Sequence, residues 1–323
     1  MKQVVLTGVK PTGMPHIGNY LGAIRPAIES ANKGSQPFVF DNTDAASFFF
    51  IADYHALTTV KCAKELRRLT QEIACVWLAC GLDPKKTVFY RQSDVPEIFE
   101  LSVILGNYTA KGLLDRAHAF KDACQAGRDV NIGLYTYPVL MSADILAFGT
   151  NFVPAGKDQQ QHIEIAQDIA QAFNAACGLQ VLVVPMPRIA KDVAIIPGLD
   201  GRKMSKSYGN VIPLFCDEAE LLRCIKRITT DSSAPDAPKP KDHLIFQLYK
   251  HFSGKDMDTR IGWGDAKQKL FEVINAALKP MRDKYNYYME NYGEVEKILT
   301  EGAARARVAA RGTLERVRKA IGV

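Results

Sequence analysis

Short apolar runs alternate with amphipathic stretches over the first two thirds of the chain. Val4–Thr7 reads as a strand, and a helix begins at Ile17. Phe48–Ala52 (FFFIA) is apolar at every position, the pattern of a strand covered on both faces. Cys62–Cys80 has helical spacing, with Gly81 placed to end it and Pro84 just beyond. Thr87–Tyr90 reads as a strand, and Pro96 sits where a helix can begin. Asn151–Pro154 is a short strand, Gln159–Phe173 a helix and Val181–Val184 a strand. This alternation predicts an α/β fold built on a parallel sheet with helices on both faces. From Asp217 onward the spacing is helical throughout, interrupted by the loop DSSAPDAPKPKDH at 231–243. The change of pattern divides the chain into 1–214 and 215–323.

At 323 residues, the chain is long enough for one large core and a smaller one. Its 47% apolar and 24% charged content is ordinary for a globular protein. No apolar stretch reaches membrane-span length, and MKQVVLTGVK has no cleavage-site pattern, so neither a membrane nor a secretory role is expected. Seven scattered cysteines with no CxxC pair suggest neither a disulfide framework nor a zinc site, and Cys75 and Cys80 read as buried helix residues. A reducing, cytoplasmic setting is expected. The net charge of +6 admits a polyanionic partner without requiring one. Arg305, Arg307, Arg311, Arg316, Arg318 and Lys319 cluster near the end, and read alone they form a solvated helix face.

Two glycine-flanked segments carry candidate chemistry. GVKPTGMPHIGNYLGA (8–23) lies between the first strand and the first helix, at the carboxyl end of the sheet where ligands bind. A helix N-terminus offers unpaired N–H groups to an anion. His16 can donate to a phosphate oxygen, and Asn19 supplies donors and an acceptor. The plain alternative is a strand-to-helix turn capped by the histidine. GRKMSKSYGN (201–210) places Lys203 and Lys206 among Met204, Ser205 and Ser207. Flexible ammonium groups can follow charge that moves during phosphoryl chemistry, although a Lys/Ser loop is usually only solvated.

HIGN at 16–19 and KMSKS at 203–207, in that order, resemble the two nucleotide motifs of class I aminoacyl-tRNA synthetases. PTGMPHIGNYLGA, ADYHALT, YPVLMSADIL and VPAGKDQQQHIEIAQDIA extend the resemblance to the tryptophanyl branch, collinear over essentially the whole chain. The resemblance implies a Rossmann-like catalytic domain and an all-helical, anticodon-recognising C-terminal domain whose last helix returns toward the sheet. It implies ATP, tryptophan and tRNA(Trp) as substrates, Mg²⁺ as a helper not held by protein side chains, and a homodimer.

The resemblance also assigns roles, each with a plainer alternative. His16, Asn19, Lys121, Lys203 and Lys206 would be catalytic; Lys121 otherwise is a surface lysine. Lys10, Pro11, Thr12, Gly18, Gly156, Lys157, Asp158, Ile195, Met204, Ser205 and Ser207 would join Asn19 and the two loop lysines around ATP. Asp158 otherwise is an N-cap, and Ile195 would be an adenine wall. Leu6, His55, Met141, Asp144, Val153 and Gln159 would hold tryptophan. Asp144 is the most telling, because its helical neighbours Leu140, Met141, Ala147 and Phe148 are apolar. A carboxylate there needs a partner, and the implied one is the indole N–H, a donor with no acceptor. The alternative is a helix-end aspartate that reaches solvent or an arginine. A buried acceptor rejects analogues that lack the proton.

Two positions depart from the family pattern. Lys10 stands where many members have Gln, and Lys157 where many have Glu, so each adds positive charge near the ligands. The stretch VFDNTDAASFFF is also longer than its counterpart in many relatives. Competing readings are a tyrosyl enzyme and a paralogue that binds ATP, tryptophan or RNA without charging tRNA.

Overall fold

The computed structural model describes residues 3–33, 46–156, 159–189 and 196–323. Five strands form one parallel sheet: β1 (Val4–Val9), β2 (Ala46–Ile51), β3 (Thr87–Arg91), β4 (Phe152–Ala155) and β5 (Met186–Ile189). Their order is β3-β2-β1-β4-β5. The chain leaves β1 to one side for β2 and β3, then crosses to the other side for β4 and β5. The carboxyl end of β1 is therefore the switch point at which an open α/β sheet forms its crevice.

The FFFI run is explained by its two faces. Phe48 and Phe50 join Leu6, Tyr90 and Val153 on one side, whereas Phe49 and Ile51 join Phe89, Trp77 and Ile17 on the other. Successive side chains of a strand alternate, so a strand covered on both faces must be apolar throughout. The helix Ala63–Ala79 follows the sequence expectation, and Gly81 adopts φ 102° just beyond it. Cys75 is buried, while Cys80 lies at the helix end and is partly exposed.

One strand sits elsewhere than its pattern suggests. Val181–Val184 is not a strand; β5 begins at Met186. Asn174 is the reason. Its Oδ1 accepts from the N–H groups of Val181 and Leu182, and its Nδ2 donates to the Leu182 carbonyl. The first half of the apolar run thus has its backbone bonded by one side chain rather than by a neighbouring strand, and Leu182 is buried in the core with Val181 and Val184 packed against it. The 231–243 loop is likewise held by a side chain: the buried Lys239 ammonium donates to the carbonyls of Ala234, Pro235 and Ala237.

The last helix, Tyr292–Ile321, returns to the sheet and crosses edge strand β3. Val295 and Leu299 pack with one face's core, and Ala303, Ala306, Ala310 and Leu314 with the other's. Gly302 marks the crossing, where a Cβ would lie 1.8 Å from the Phe89 carbonyl oxygen. An edge strand covered in this way is closed to pairing with another chain.

The basic cluster is a strap more than a solvated face. Arg305 donates to the Pro84 and Thr87 carbonyls at 2.9 and 2.7 Å, Arg307 and Arg311 reach Glu97, and Arg318 meets Glu100. Arg316 instead turns back on its own helix, bonding Gly312 and Thr313.

Candidate active site

The turn after β1 is built around His16. Its Nδ1 accepts from the Asn19 N–H at 3.2 Å, and Asn19 Oδ1 accepts from the His16 N–H at 3.1 Å, a reciprocal cap. The capping alternative read from the sequence is therefore present. It does not exclude a ligand role, because it consumes only Nδ1 and Oδ1. Among the described residues, His16 Nε2–H and the Asn19 amide N–H groups have no partner and can donate. Burial, helped by the Lys206 charge, lowers the His16 pKa to about 4, so the ring is a neutral donor near pH 7. Gly18 is required by crowding: a Cβ would sit 3.0 Å from the His16 ring and 3.3 Å from the Met204 sulfur.

The lysine loop is fastened to this turn by backbone. Ile17 N–H donates to the Ile212 carbonyl and Leu214 N–H to the Pro15 carbonyl, both at 2.9 Å. Within the loop, Asn210 is the internal scaffold. Its Oδ1 accepts from Ser205 N–H, and its Nδ2 donates to Asp200 and to the Lys203 carbonyl. Gly198 leaves room for it, since a Cβ there would lie 2.2 Å from Asn210 Nδ2. Lys206 Nζ donates to the Thr12 carbonyl at 3.0 Å and closes the ring of contacts. Between the two segments lies an open cleft of about 430 Å³, lined by Thr12, His16, Asn19, Lys203, Met204, Ser205, Lys206 and Tyr208. Among the described residues the lining carries Lys203 and Lys206 and no carboxylate, a surface matched to a polyanion. Among the described residues no group of three His, Cys, Asp or Glu side chains gathers that could hold a metal ion.

The second part of the site is buried. Asp144 projects from the helix Ile132–Leu146 and has 0% exposure. The sequence alternatives of a solvent-facing or arginine-paired aspartate are both overturned. Its Oδ2 accepts from His55 Nε2 at 2.8 Å, and both oxygens accept from Gln92 Nε2 at 2.9 Å. Burial raises the carboxyl pKa, and those bonds oppose the rise. Beside it, Tyr137 Oη bonds His162 Nε2, and His162 Nδ1 meets Gln159 Oε1 at 3.1 Å. A chain of polar groups thus runs from Gln159 to Tyr137, whose ring meets His55 edge-on.

Most of the sequence-derived residues converge on these two places. Leu6 and Val153 are buried on the same sheet face as the Asp144 helix, with Met141 packed against that core. Lys10 is half-buried and donates to Thr58 Oγ1 at 2.9 Å, and the Thr58 hydroxyl donates in turn to the His55 carbonyl. Burial lowers the Lys10 pKa. Pro11 is buried beside it, Ser207 is exposed on the lysine loop, and Gly156 follows β4, its carbonyl accepting from Gln159 N–H. Lys121 is exposed on the helix His118–Gln125, and no side-chain bond among the described residues ties it to the cleft. Lys157, Asp158 and Ile195 lie outside the described residues, as do 41–45 of the longer connection.

Sequence reasoning missed Gln92, Tyr137, His162 and Asn210. Tyr137 stands one helical turn before Met141, and this spacing could have flagged it. Gln92 carried no signal, being one polar residue after a strand.

Comparison with known proteins agrees with this geometry. Residues 2–279 match the family model described as tRNA synthetases class I (W and Y). The tryptophan–tRNA ligase of Neisseria meningitidis is 44% identical over 100% of this chain and 98% of its own length. That of Bordetella parapertussis is 48% identical, covering 100% of this chain and 74% of its own. The Campylobacter jejuni tryptophanyl-tRNA synthetase, solved with ADP and tryptophan, superposes with a TM-score of 0.89 at 40% identity, covering 99% of this chain and 100% of that one. The chain belongs to the class I aminoacyl-tRNA synthetases, in the family of the tryptophan and tyrosine enzymes.

Proposed function

We propose that this synthetase activates L-tryptophan with ATP and transfers it to tRNA(Trp). The observation that carries the reading is Asp144, a buried carboxylate whose bonded neighbours are a histidine and an amide rather than a cation of fixed charge. A carboxylate has about four acceptor positions. The bonds from His55 and Gln92 leave capacity on Oδ1, enough for one indole N–H. Leu6, Met141 and Val153 supply the apolar walls, and Tyr137 and Gln159 the polar end for the amino acid's head group. The full-length tryptophan–tRNA ligase relatives support the same reading.

The chemistry is in-line attack of the tryptophan carboxylate on the α-phosphorus, with pyrophosphate leaving. No protein nucleophile is needed, so positioning and charge dominate. His16 Nε2–H and the Asn19 amide donate to phosphate oxygens, and Lys203 and Lys206 neutralise charge on the leaving group. Lys10 immediately follows β1, and its ammonium pairs with the tryptophan carboxylate or a phosphate. Residues 1–214 form the catalytic domain and 215–323 the tRNA-reading helical domain, with the last helix strapped back on the sheet. We infer that the protein acts as a cytoplasmic homodimer, as the family resemblance implies. Among the described residues no helix is long and apolar enough to cross a membrane.

Amino-acid-dependent exchange of labelled pyrophosphate into ATP, run with each of the twenty amino acids, tests the reading. Exchange with tryptophan alone is expected. Exchange with tyrosine overturns the role of Asp144, and exchange with none overturns activation itself.

A further inference from the structure

We propose that Gln92 is a specificity-determining positioning residue, which orients the Asp144 carboxylate so that Oδ1 keeps a lone pair free for a ligand N–H. The inference rests on the proposed placement of the indole at Asp144 and extends it to a residue with no part in either nucleotide loop.

Gln92 is itself fully buried, in a single tight turn (Gln92–Asp94) that follows β3. Its NH₂ group spans both oxygens of Asp144 at 2.9 Å. This bifurcated contact holds the carboxylate head-on, and together with the off-axis bond from His55 to Oδ2 it leaves the group one orientation. The amide makes this contact although its own Oε1 is buried and has no partner among the described residues. A glutamine that served only packing would gain by satisfying Oε1; this one is oriented for the carboxylate. Its neutrality also matters. A lysine or arginine in the same place would neutralise Asp144 and compete with the incoming proton. An amide holds the group and leaves it an anion.

The turn is anchored on both sides. Arg91 makes a double bond pair to Glu296 of the last helix at 2.8 and 2.6 Å, and a further bond to Asp94 at 2.7 Å. Ser93 N–H and Oγ–H donate to Asp53, at 3.1 and 2.5 Å. The backbone of Gln92 is therefore fixed by charged contacts immediately before and after it, which is what a donor needs if it is to hold another group to within a few tenths of an ångström.

The test compares two substrates in one preparation: L-tryptophan and β-(3-benzothienyl)alanine, in which sulfur replaces the indole N–H. Pyrophosphate exchange gives kcat/KM for each, and their ratio is independent of the fraction of protein folded. The wild type is expected to favour tryptophan by about 100-fold or more, since a buried acceptor is left unpaired by the analogue. In Gln92→Met that preference is expected to fall by about tenfold, mainly through the KM for tryptophan, with kcat for ATP-saturated exchange less affected. Gln92→Leu, measured beside it, guards against a folding failure of one side-chain shape. If the wild type does not discriminate, the indole placement itself fails and this inference with it. If the wild type discriminates and both variants keep its ratio within about threefold while losing activity toward the two substrates equally, Gln92 only packs, and the inference is overturned while the placement stands.

Discussion

The cleft rim and the Asp144 pocket solve opposite problems with opposite materials. At the rim, Lys203 and Lys206 are exposed on a loop whose shape is set by backbone bonds and by Asn210. In the pocket, Asp144 has no exposure at all, and its position is set by two side chains from other parts of the sheet. A cation acts on a phosphate over roughly the 8–10 Å that salt leaves unscreened, so its exact place matters less. A hydrogen bond to an indole fails beyond about 3.5 Å, so everything around it must be rigid. The rim can therefore move with its ligand, whereas the pocket reads one proton at one point.

The comparison breaks first, if it breaks, at Asp144. Asp144→Ala is expected to lower kcat/KM for tryptophan by about 10⁴-fold in pyrophosphate exchange, the scale on which a built hydrogen-bonding site rejects the wrong partner. His55 and Gln92 would also be left buried without their acceptor. A loss of less than tenfold would mean that shape alone selects the substrate.

Next comes Lys206→Ala. Loss of one donor aimed at developing charge costs about 10²–10³-fold in kcat. The KM for tryptophan should hardly change, because Lys206 touches the turn at Thr12 and not the pocket. Lys203→Ala sharpens the comparison. Among the described residues its ammonium makes no loop-closing bond like that of Lys206, so a similar kcat loss in both variants would assign the effect to charge. A loss in Lys206→Ala alone would assign it to closure of the loop.

The same contrast governs what could be read from the chain. The strands, the central helices and the rim were legible because each depends on local sequence: periodicity for elements, glycine-flanked lysines and a histidine turn for the loops. The Asp144 anomaly was legible as an ion on an apolar helix face. Its partners were not. Gln92 is 52 positions away, and Tyr137 and His162, which bond each other, stand on different helices 25 positions apart. Such contacts are created by strand order, which no local pattern carries. Val181–Val184 misled for the related reason that Asn174, a single polar side chain, did the work of a neighbouring strand. The arginine cluster misled because its carboxylate and carbonyl partners lie more than 200 positions earlier.

His16 gives a pH prediction of intermediate size. Its pKa is lowered from 6.5 to about 4 in the folded protein, by burial first and then by Lys206. As pH falls through that window, the unfolded chain binds a proton that the native ring refuses, so stability declines. Urea titrations from pH 7 to pH 4.5 should show that decline, and His16→Asn should make it shallower. In the activity profile, the neutral ring predicts no inflection from His16 in kcat/KM for ATP between pH 6 and pH 8, a range that lies wholly above the group's own titration at about 4. An inflection near 6.5 that disappears in His16→Asn would show that the ring is not withdrawn from solvent as the capped turn implies.

The smallest effect is expected at Arg318. It meets Glu100 through two bonds of 2.6 Å, with geometry better than that of either loop lysine, yet both side chains are over 40% exposed. Water screens such a pair, and ordering two long side chains offsets what remains, so Arg318→Ala should leave the urea midpoint nearly unchanged. Activity should be unchanged. The strap's hold on the sheet then rests on the apolar contacts, on the close approach at Gly302 and on the part-buried bonds of Arg305, Arg307 and Arg91. This is the sharpest form of the comparison, because Arg318 and Lys206 are both solvent-exposed cations. One faces a carboxylate that is always present and well hydrated; the other faces charge that appears only as a bond breaks. If Arg318→Ala lowered the urea midpoint far beyond the small shift usual for an exposed pair, exposed charge would be holding the strap on the sheet, and the division between a charged rim that acts on ligand and a frame held by burial would fail.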